Sequence, residues 1–165
     1  MKITDYCPRP APFDSYIKGK NLIGIEIGVD AGAHAEALLV NNRDIEKLYL
    51  VDIWTNPIFF GYTRGRLETK GFVRNIELIA KNSIKASERF ENNFFDFIYI
   101  DQEHDYDSVM KDLEAWFPKL KSGGLMGYRN YTNKTTPLDN AINDFLKKNS
   151  LKSFPEYAEV IIWKE

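Results

Sequence analysis

The residues best suited to chemistry lie where an apolar run breaks at glycines, within residues 21–39. Residues 22–27 have the apolar composition of a buried parallel strand, and a helical composition rich in Ala and Leu resumes after the break. Gly28 and Gly32 let the intervening turn bring its backbone close to a ligand. The start of a helix favours the anionic part of a nucleotide-like ligand, and we expect Asp30 to cap this helix.

Two carboxylates lie at the ends of successive apolar runs. Glu26 is near the end of the first, and Asp52 ends the second. A carboxylate at the tip of the second strand of a βαβ unit can accept both hydroxyls of a ribose. Glycines in turns and acids at strand ends also occur in βαβ units for structural reasons alone, so the spacing of the residues has to decide between the two interpretations.

The spacing Glu26-x-Gly28-x-x-x-Gly32, followed by Val51-Asp-Ile-Trp54, resembles the cofactor motifs of class I S-adenosylmethionine-dependent methyltransferases. It differs from the G-x-G-x-x-G spacing of dinucleotide-binding folds. The resemblance implies that S-adenosylmethionine is the cofactor. It further implies that the cofactor is held by Glu26, Gly28, Asp30, Gly32, Asp52, Ile53, Asn82, Ser83, Asp101 and Gln102.

The later members of that set follow later apolar runs. Asn82 and Ser83 come after residues 76–80, and Asp101 ends the strand-like run 94–100. Carboxyl ends of parallel strands meet at one edge of a sheet, where ligands bind, so we expect these residues to lie together. In the family that the chain resembles, the residue at the position of Asn82 often contacts adenine. For Ser83, helix capping alone would also be a sufficient explanation.

Residues 95–106 and 120–131 resemble the small-molecule O-methyltransferases, in two subgroups. One subgroup has the motif D-G-x-H-x-Y, which reads Asp101, Gln102, His104 and Tyr106 here, with Gln102 in place of the glycine. The other subgroup is the cation-dependent caffeoyl-CoA and catechol type, in which the strand-end Asp and a following D-N pair bind a divalent metal. Asp101 and Asn130 match that pattern, whereas Arg129 stands where the acid of the pair is expected.

Arg129 argues against a divalent metal, because hard cations prefer carboxylates and a guanidinium keeps its positive charge. We expect Arg129 to pair with Asp101, or to share the acceptor with it, in the electrostatic role that the cation has in the related enzymes. The alternative is an outward-turned Arg129 and a weak metal site made by Asp101, Asn130 and water.

His104 is the candidate general base, since an imidazole titrates near pH ~6.5 and can accept a hydroxyl proton during methyl transfer. The predicted catalytic set is therefore His104, Asp101 and Arg129. A structural role for His104, bonded to Asp101 or Asp105 at a helix start, is the alternative. We interpret His34, on the Ala-rich helix, as a surface or structural residue.

Composition sets the broader limits. The 165 residues fit one domain, which we place at residues 21–165 after a Pro-rich N-terminal arm of residues 1–20. A net charge of -2 argues against a nucleic-acid surface. The single cysteine cannot form an internal disulfide, and no signal peptide or membrane span is recognised, so a soluble, cytoplasmic protein is expected. A monomer and a homodimer both remain open.

The order of strand-like and helix-like segments predicts an α/β fold. It is a Rossmann-like, mostly parallel seven-stranded sheet with an antiparallel C-terminal hairpin and helices on both faces. An aromatic loop and a loose helix are expected over residues 53–73, and a turn at residues 121–124 before a strand that starts at Leu125. The stripe that begins at Tyr106 and ends at Phe117 is expected to belong to the core.

The functional hypothesis is transfer of a methyl group from S-adenosylmethionine to an oxygen atom of a small molecule. Two alternatives remain. One is an S-adenosylmethionine-binding protein without catalysis, suggested by Arg129 and the short chain. The other is an NAD-dependent oxidoreductase, which the missing G-x-G-x-x-G opposes.

Overall fold

The computed structural model describes residues 11–102 and 105–165, and all structural statements below refer to them. The strands are β1 (Leu22–Ile27), β2 (Ile45–Asp52), β3 (Ile76–Ala80), β4 (Phe95–Ile100), β5 (Leu120–Arg129), β6 (Ser153–Glu156) and β7 (Glu159–Trp163). The helices are α1 (Ala33–Asn41), α2 (Pro57–Thr69), α3 (Ser83–Ser87), α4 (Tyr106–Trp116) and α5 (Pro137–Asn149). Short 3₁₀ helices span Pro12–Tyr16 and Phe117–Lys119.

The strands form one sheet in the order β3-β2-β1-β4-β5-β7-β6. Strands β1 to β5 pair in parallel, and β7 pairs antiparallel with both β5 and β6. Ile27 lies opposite Val51 on one side and Ile100 on the other, so β1, β2 and β4 end at the same level. The predicted fold class is confirmed, and the strand ends that carry Glu26, Asp52 and Asp101 share one edge.

Each face of the sheet has its own hydrophobic core. One core joins the sheet to α3, α4 and α5, and includes Val109, Leu113 and Trp116, none of which is exposed. The other joins it to α1, α2 and the N-terminal 3₁₀ helix. Tyr106, expected in the core stripe of α4, is instead 37% exposed, and its hydroxyl donates to Asp144 on α5 at 2.9 Å.

Helix α2 is longer and more regular than the sequence predicts. Asn56 caps it by accepting the N–H of Ile58 at 3.1 Å, and Pro57 occupies the first turn, where its missing N–H costs nothing. Gly61 and Gly65, which suggested a loop, have open space around them. They are tolerated because this face of the helix packs against no other element.

Residues 121–124 are part of β5 and do not form the predicted turn. Leu120 pairs with Phe95 and Leu125 with Phe97, so the extra residues of β5 are accommodated as an irregularity in the ladder. A Cβ atom at Gly124 would lie 2.9 Å from the carbonyl oxygen of Asp96. The glycine therefore marks a close backbone approach inside a strand.

The 3₁₀ helix Pro12–Tyr16 packs against the sheet. Phe13 is fully buried, with its ring 5.2 Å from that of Tyr99, and its N–H donates to Glu159 at 3.0 Å. This part of the predicted arm belongs to the packed structure, whereas residues 1–10 lie outside the described residues. Among the described helices none is both long and apolar enough to cross a membrane.

Candidate functional site

The turn between β1 and α1 is built around two glycines with positive φ. At Gly28, φ is +86° and an added Cβ would lie 2.0 Å from the carbonyl oxygen of Asp101. At Gly32, φ is +73° and a Cβ would lie 2.7 Å from Cγ2 of Thr63. Only glycine satisfies both the backbone angle and the space, so the turn passes close to the end of β4.

The Asp52 carboxylate holds this turn in place. One oxygen accepts the N–H groups of Val29 and Asp30, both at 2.9 Å, and the other accepts the N–H of Trp54 at 2.8 Å. An ionised carboxylate offers about four acceptor positions, which leaves about one for a ligand hydroxyl. Organisation of the turn is a role of Asp52 that the sequence analysis did not predict.

Asp30 does not cap α1, contrary to expectation. The cap is Gly32, which makes no side-chain bond, and Asp30 lies two residues earlier with φ of +48°. Its carbonyl oxygen accepts the Trp54 indole N–H at 3.0 Å and the Thr63 hydroxyl at 2.8 Å. The backbone of Asp30 is thus fixed within the turn, two residues before the helix cap.

A cavity of about 820 Å³ lies over this edge of the sheet. Of the predicted site residues, it is lined by Glu26, Gly28, Asp30, Asp52, Ile53, Asn82, Ser83, Asp101, Gln102 and Arg129. Gly32 lies behind the turn, against Thr63. His104 and its neighbour Glu103 lie outside the described residues. The strand ends therefore bring together nearly all of the described residues that the motifs predicted.

A methyltransferase domain family matches this chain over residues 25–131, which include the turn, Asp52, and the ends of β4 and β5. The chain belongs to this methyltransferase family. The resemblance drawn from the motifs is confirmed, and S-adenosylmethionine-dependent methyl transfer is the activity of the family. The oxidoreductase alternative is wrong.

Solved structures share the fold of the methyltransferase at low sequence identity. A protein assigned as a caffeoyl-CoA O-methyltransferase from Staphylococcus aureus is 18% identical, with a TM-score of 0.71 over 91% of this chain and 79% of its own. A precorrin-6y C5,15-methyltransferase from Geobacter metallireducens is 17% identical, with a TM-score of 0.69 over 92% and 85%. An S-adenosylhomocysteine-bound methyltransferase from Podospora anserina is 16% identical, with 0.67 over 86% and 71%. No curated protein sequence matches significantly.

The site fits the cofactor of the family on two observations. Position 28 leaves no room for a side chain, because a Cβ atom there would lie 2.0 Å from the Asp101 carbonyl oxygen, so the turn and the end of β4 meet as bare backbone at the cavity wall. In addition, Oε2 of the buried Glu26 has no hydrogen-bond partner in the described structure. Buried carboxylate oxygens are normally paired, so an unpaired one beside a cavity suits a positively charged ligand group.

The predicted cofactor residues that follow β3 and β4 have two structural roles: one caps a helix, and two bond to α4. Asn82 caps α3 by accepting the N–H groups of Ile84 and Lys85. The Ser83 hydroxyl instead donates to Asp112 on α4 at 2.6 Å, so capping does not explain Ser83. Gln102 donates to the other oxygen of Asp112, also at 2.6 Å. Asp112, which the sequence analysis missed, ties the ends of β3 and β4 to α4.

Arg129 and Asp101 form the expected ion pair, with Nη1 of Arg129 2.6 Å from Oδ2 of Asp101. The two side chains are 45% and 22% exposed, so the pair lies at the cavity wall. Asn130 follows with φ of +64° at an exposed position. Within residues 11–102 and 105–165, no group of three or more His, Cys, Asp or Glu side chains could hold a metal ion.

His34 lies in the cavity wall with a side chain only 12% exposed, so the surface interpretation is wrong. Its Nδ1 is 3.2 Å from Glu26 and its Nε2 is 3.0 Å from Asp14. Burial alone would lower the imidazole pKa, but the Glu26 and Asp14 carboxylates raise it to about 10. The one available signal was its position in the first turn of the helix after the glycine motif, which aims it at the sheet edge.

A buried Tyr99 and Glu159 pair closes the same side of the cavity. The Tyr99 hydroxyl donates to Glu159 at 2.6 Å. Burial, with the charge of Glu159, raises the Tyr99 pKa well above its usual value, so Tyr99 stays protonated. Tyr157 is at the rim, 88% exposed and with φ of +53°. Sequence reasoning missed all three residues, since the bond between Tyr99 and Glu159 joins β4 to the C-terminal hairpin across 60 positions of sequence.

Proposed function

We propose that this methyltransferase transfers the methyl group of S-adenosylmethionine to an oxygen atom of a small molecule. The observation that carries the proposal is a single cavity that holds both the cofactor turn and the Asp101–Arg129 pair. A volume of about 820 Å³ is in the range of small-molecule sites. The likeness to a protein assigned as a caffeoyl-CoA O-methyltransferase agrees with an oxygen acceptor.

When bound, the cofactor supplies an electrophilic methyl group on a positively charged sulfur. The turn at Gly28 brings its backbone close to the cavity, and Asp52 keeps that turn rigid and has room for a ribose hydroxyl. Asn82 and Ile53 form the wall at the nucleoside end. In-line displacement needs reactants held in a close, aligned approach, which a rigid site supplies without moving catalytic groups.

On the acceptor side, Arg129 provides the positive charge that a metal ion provides in cation-dependent relatives. A guanidinium beside the acceptor oxygen stabilises its ionised, nucleophilic form, and Asp101 fixes the orientation of that guanidinium. His104, three residues after Asp101, removes the acceptor proton as general base. A divalent metal has no part in this scheme.

The proposal also includes the domain organisation of the enzyme and the class of its acceptors. Residues 21–165 act as one catalytic domain preceded by the arm of residues 1–20. The acceptors are cytoplasmic small molecules, in preference to nucleic acids or membrane components, in keeping with the net charge of -2.

Labelled methyl transfer tests the proposal. The protein is incubated with S-adenosylmethionine carrying a deuterated methyl group and with a cell extract divided into small-molecule and macromolecular fractions. Mass spectrometry is expected to find the label on an oxygen atom in the small-molecule fraction. Label on nitrogen or carbon, or only on the macromolecular fraction, would contradict the proposal.

A further inference from the structure

Five side chains from five separate elements meet on the side of the cavity where β1, β4 and β7 end, and four of them are buried while His34 is 12% exposed. They are Asp14 of the N-terminal 3₁₀ helix, Glu26 of β1, His34 of α1, Tyr99 of β4 and Glu159 of β7. Four of the five line the cavity, and the remaining one, Asp14, contacts His34. The contacts are His34 to Asp14 and to Glu26, and Tyr99 to Glu159, and the rings of His34 and Tyr99 lie 4.2 Å apart. We call these five residues the acidic cluster.

The cluster carries more negative than positive groups. Asp14, Glu26 and Glu159 face only one cationic partner within the cluster, His34. The neighbouring Asp101 is balanced by Arg129. Oδ2 of Asp14 and Oε2 of Glu26 are buried and have no hydrogen-bond partner in the described structure. Buried, unpaired carboxylate oxygens are costly, so a positively charged ligand group beside Glu26, which lines the cavity, is favoured.

We propose that the acidic cluster recognises the positive sulfonium of S-adenosylmethionine and so makes the protein prefer S-adenosylmethionine to the uncharged thioether S-adenosylhomocysteine. The inference rests on the proposed function, because it assumes the cofactor lies in this cavity. Asp14 and Glu159 lie outside the family match of residues 25–131, so this selectivity is a feature that the flanking segments of this chain add.

The position of the cluster agrees with this role. Asp52 and Asn82 lie at the ends of β2 and β3, on the side of the cavity suited to the nucleoside. The cluster lies on the other side of the glycine turn, where β1, β4 and β7 meet the N-terminal segment. A cofactor with its nucleoside on the first side extends its charged methionine end toward the second.

Proton binding is linked to this recognition. Burial raises the pKa of Glu26, which faces His34, Asp14 and Asp101, and the pKa of Glu159, which faces Tyr99, His34 and Asp14 and lies across the strand pair from Arg129. At a pH below these raised pKa values, the Glu26 and Glu159 carboxyl groups are protonated and the cluster carries less negative charge. Affinity for a cation therefore rises with pH through this range. His34, with a pKa of about 10, stays charged throughout.

The same charge preference helps turnover. Methyl transfer breaks the carbon–sulfur bond and forms a carbon–oxygen bond, and the electron pair of the broken bond stays on sulfur, which becomes neutral. The attraction between the cluster and the cofactor sulfur is thereby lost in the product. S-adenosylhomocysteine then leaves more readily than S-adenosylmethionine would.

Titration calorimetry without an acceptor tests the proposal by binding alone. Affinities for S-adenosylmethionine and S-adenosylhomocysteine are measured between pH 5 and 7 for the parent, for Asp14→Asn and for Glu88→Gln. Glu88 is an exposed acid paired with Lys85 on α3, and serves as the control. The ratio of the two affinities is expected to favour S-adenosylmethionine and to rise with pH in the parent and in Glu88→Gln. Asp14→Asn should lower the ratio about tenfold, as expected for loss of one charge near a partly desolvated cation.

The outcomes separate the two proposals. If neither ligand binds the parent at any pH, the proposed function fails. If both bind, but the ratio is the same in the parent and in Asp14→Asn, the cluster proposal fails and the proposed function stands. Should Asp14→Asn not fold, Glu159→Gln removes another charge of the cluster. A ratio lower than in the parent in that folded variant supports the proposal, and a parent-like ratio overturns it.

Discussion

One oxygen of Asp52, at the end of β2, accepts two consecutive backbone N–H groups, from Val29 and Asp30, at 2.9 Å each. The residue predicted to bind the ribose thus also shapes the turn of the proposed cofactor site. A carboxylate that accepts N–H groups from the backbone makes strong, charge-assisted bonds. The proposal therefore makes the turn and the ribose site depend on one side chain, so a change at Asp52 is expected to affect both.

Asp52→Ala is expected to abolish most of the stabilisation by S-adenosylhomocysteine. For the parent, a ligand concentration a hundredfold above the dissociation constant should add about 2.7 kcal/mol. The variant loses a charged acceptor and leaves three backbone N–H groups to find new partners, so it should also unfold more easily by about 1–3 kcal/mol. Thermal shifts measure both effects, with NAD as a ligand that should not stabilise the parent. The exposed Asp44→Ala is the control, and a parent-like response of Asp52→Ala would refute the role.

The sequence was sufficient to predict the strand-end acids, for a physical reason. Apolar runs such as residues 94–100 can be recognised as buried strands, and parallel strands must end at one edge. Glu26, Asp52 and Asp101 are therefore placed together without knowledge of any side-chain contact. The family motif then supplied the identity of the ligand.

The positions of apolar runs and strand ends do not predict side-chain contacts between segments that are far apart in the sequence. The partners of His34 are Asp14, twenty residues earlier, and Glu26, and no periodic pattern links the three. Ser83 and Gln102 were recognised as site residues, but their bonds to Asp112 depend on where α4 packs. The glycines of α2 led to the wrong prediction of a loop. Glycine often interrupts a helix, but Gly61 and Gly65 lie on a helix face with open space around it. Tertiary packing decides all of these features.

Arg129→Asp is expected to create a divalent-metal site. The new carboxylate would join Asp101 and Asn130 in the three-ligand pattern of the cation-dependent relatives, and oxygen ligands suit Mg²⁺ and Mn²⁺. Calorimetry should detect metal binding by this variant only. Arg129→Gln, which removes the guanidinium without adding a carboxylate, is the matched control. Tight Mg²⁺ or Mn²⁺ binding by the parent, or loss of cofactor binding on addition of chelator, would show the scheme to be wrong.

His104→Gln is expected to lower turnover by ~10²-fold or more once an acceptor is known, within the usual range for loss of a general base. Affinity for S-adenosylhomocysteine should stay nearly constant, because a general base acts on the acceptor and not on the cofactor. Steady-state kinetics and calorimetry on the same preparation separate the two effects. Full turnover in the variant would leave His104 a structural residue.

Asp139 is expected to make the loop after β5 sensitive to acid. Burial would raise its pKa, but the N–H and hydroxyl of Thr132, with groups of Thr136 and Lys134, lower it to about 2. A folded-state pKa below the unfolded value stabilises the protein above about pH 4, and this stability is lost as the pH falls toward 2.

The expected contribution of Asp139 at neutral pH is about 2 kcal/mol, because its pKa of about 2 in the folded protein lies below the usual value of an aspartate. Asp139→Asn should lose it at pH 7 and show a smaller further loss between pH 4 and 2. Urea unfolding at several pH values measures the difference. Asp44→Asn, which changes an exposed acid before β2, should behave as the parent does. Equal acid sensitivity of the parent and Asp139→Asn would contradict the assignment.

The most direct test of the cofactor site is the affinity of Gly28→Ala for S-adenosylhomocysteine, measured beside Gly71→Ala. Both glycines have nearly the same φ, +86° and +87°, so both variants carry the same backbone strain. Only at position 28 does the added Cβ meet Asp101, because Gly71 has open space around it. Calorimetry should show binding lost or weakened at least about tenfold in Gly28→Ala and unchanged in Gly71→Ala. Parent-like affinity in a folded Gly28→Ala would contradict a cofactor site at this turn.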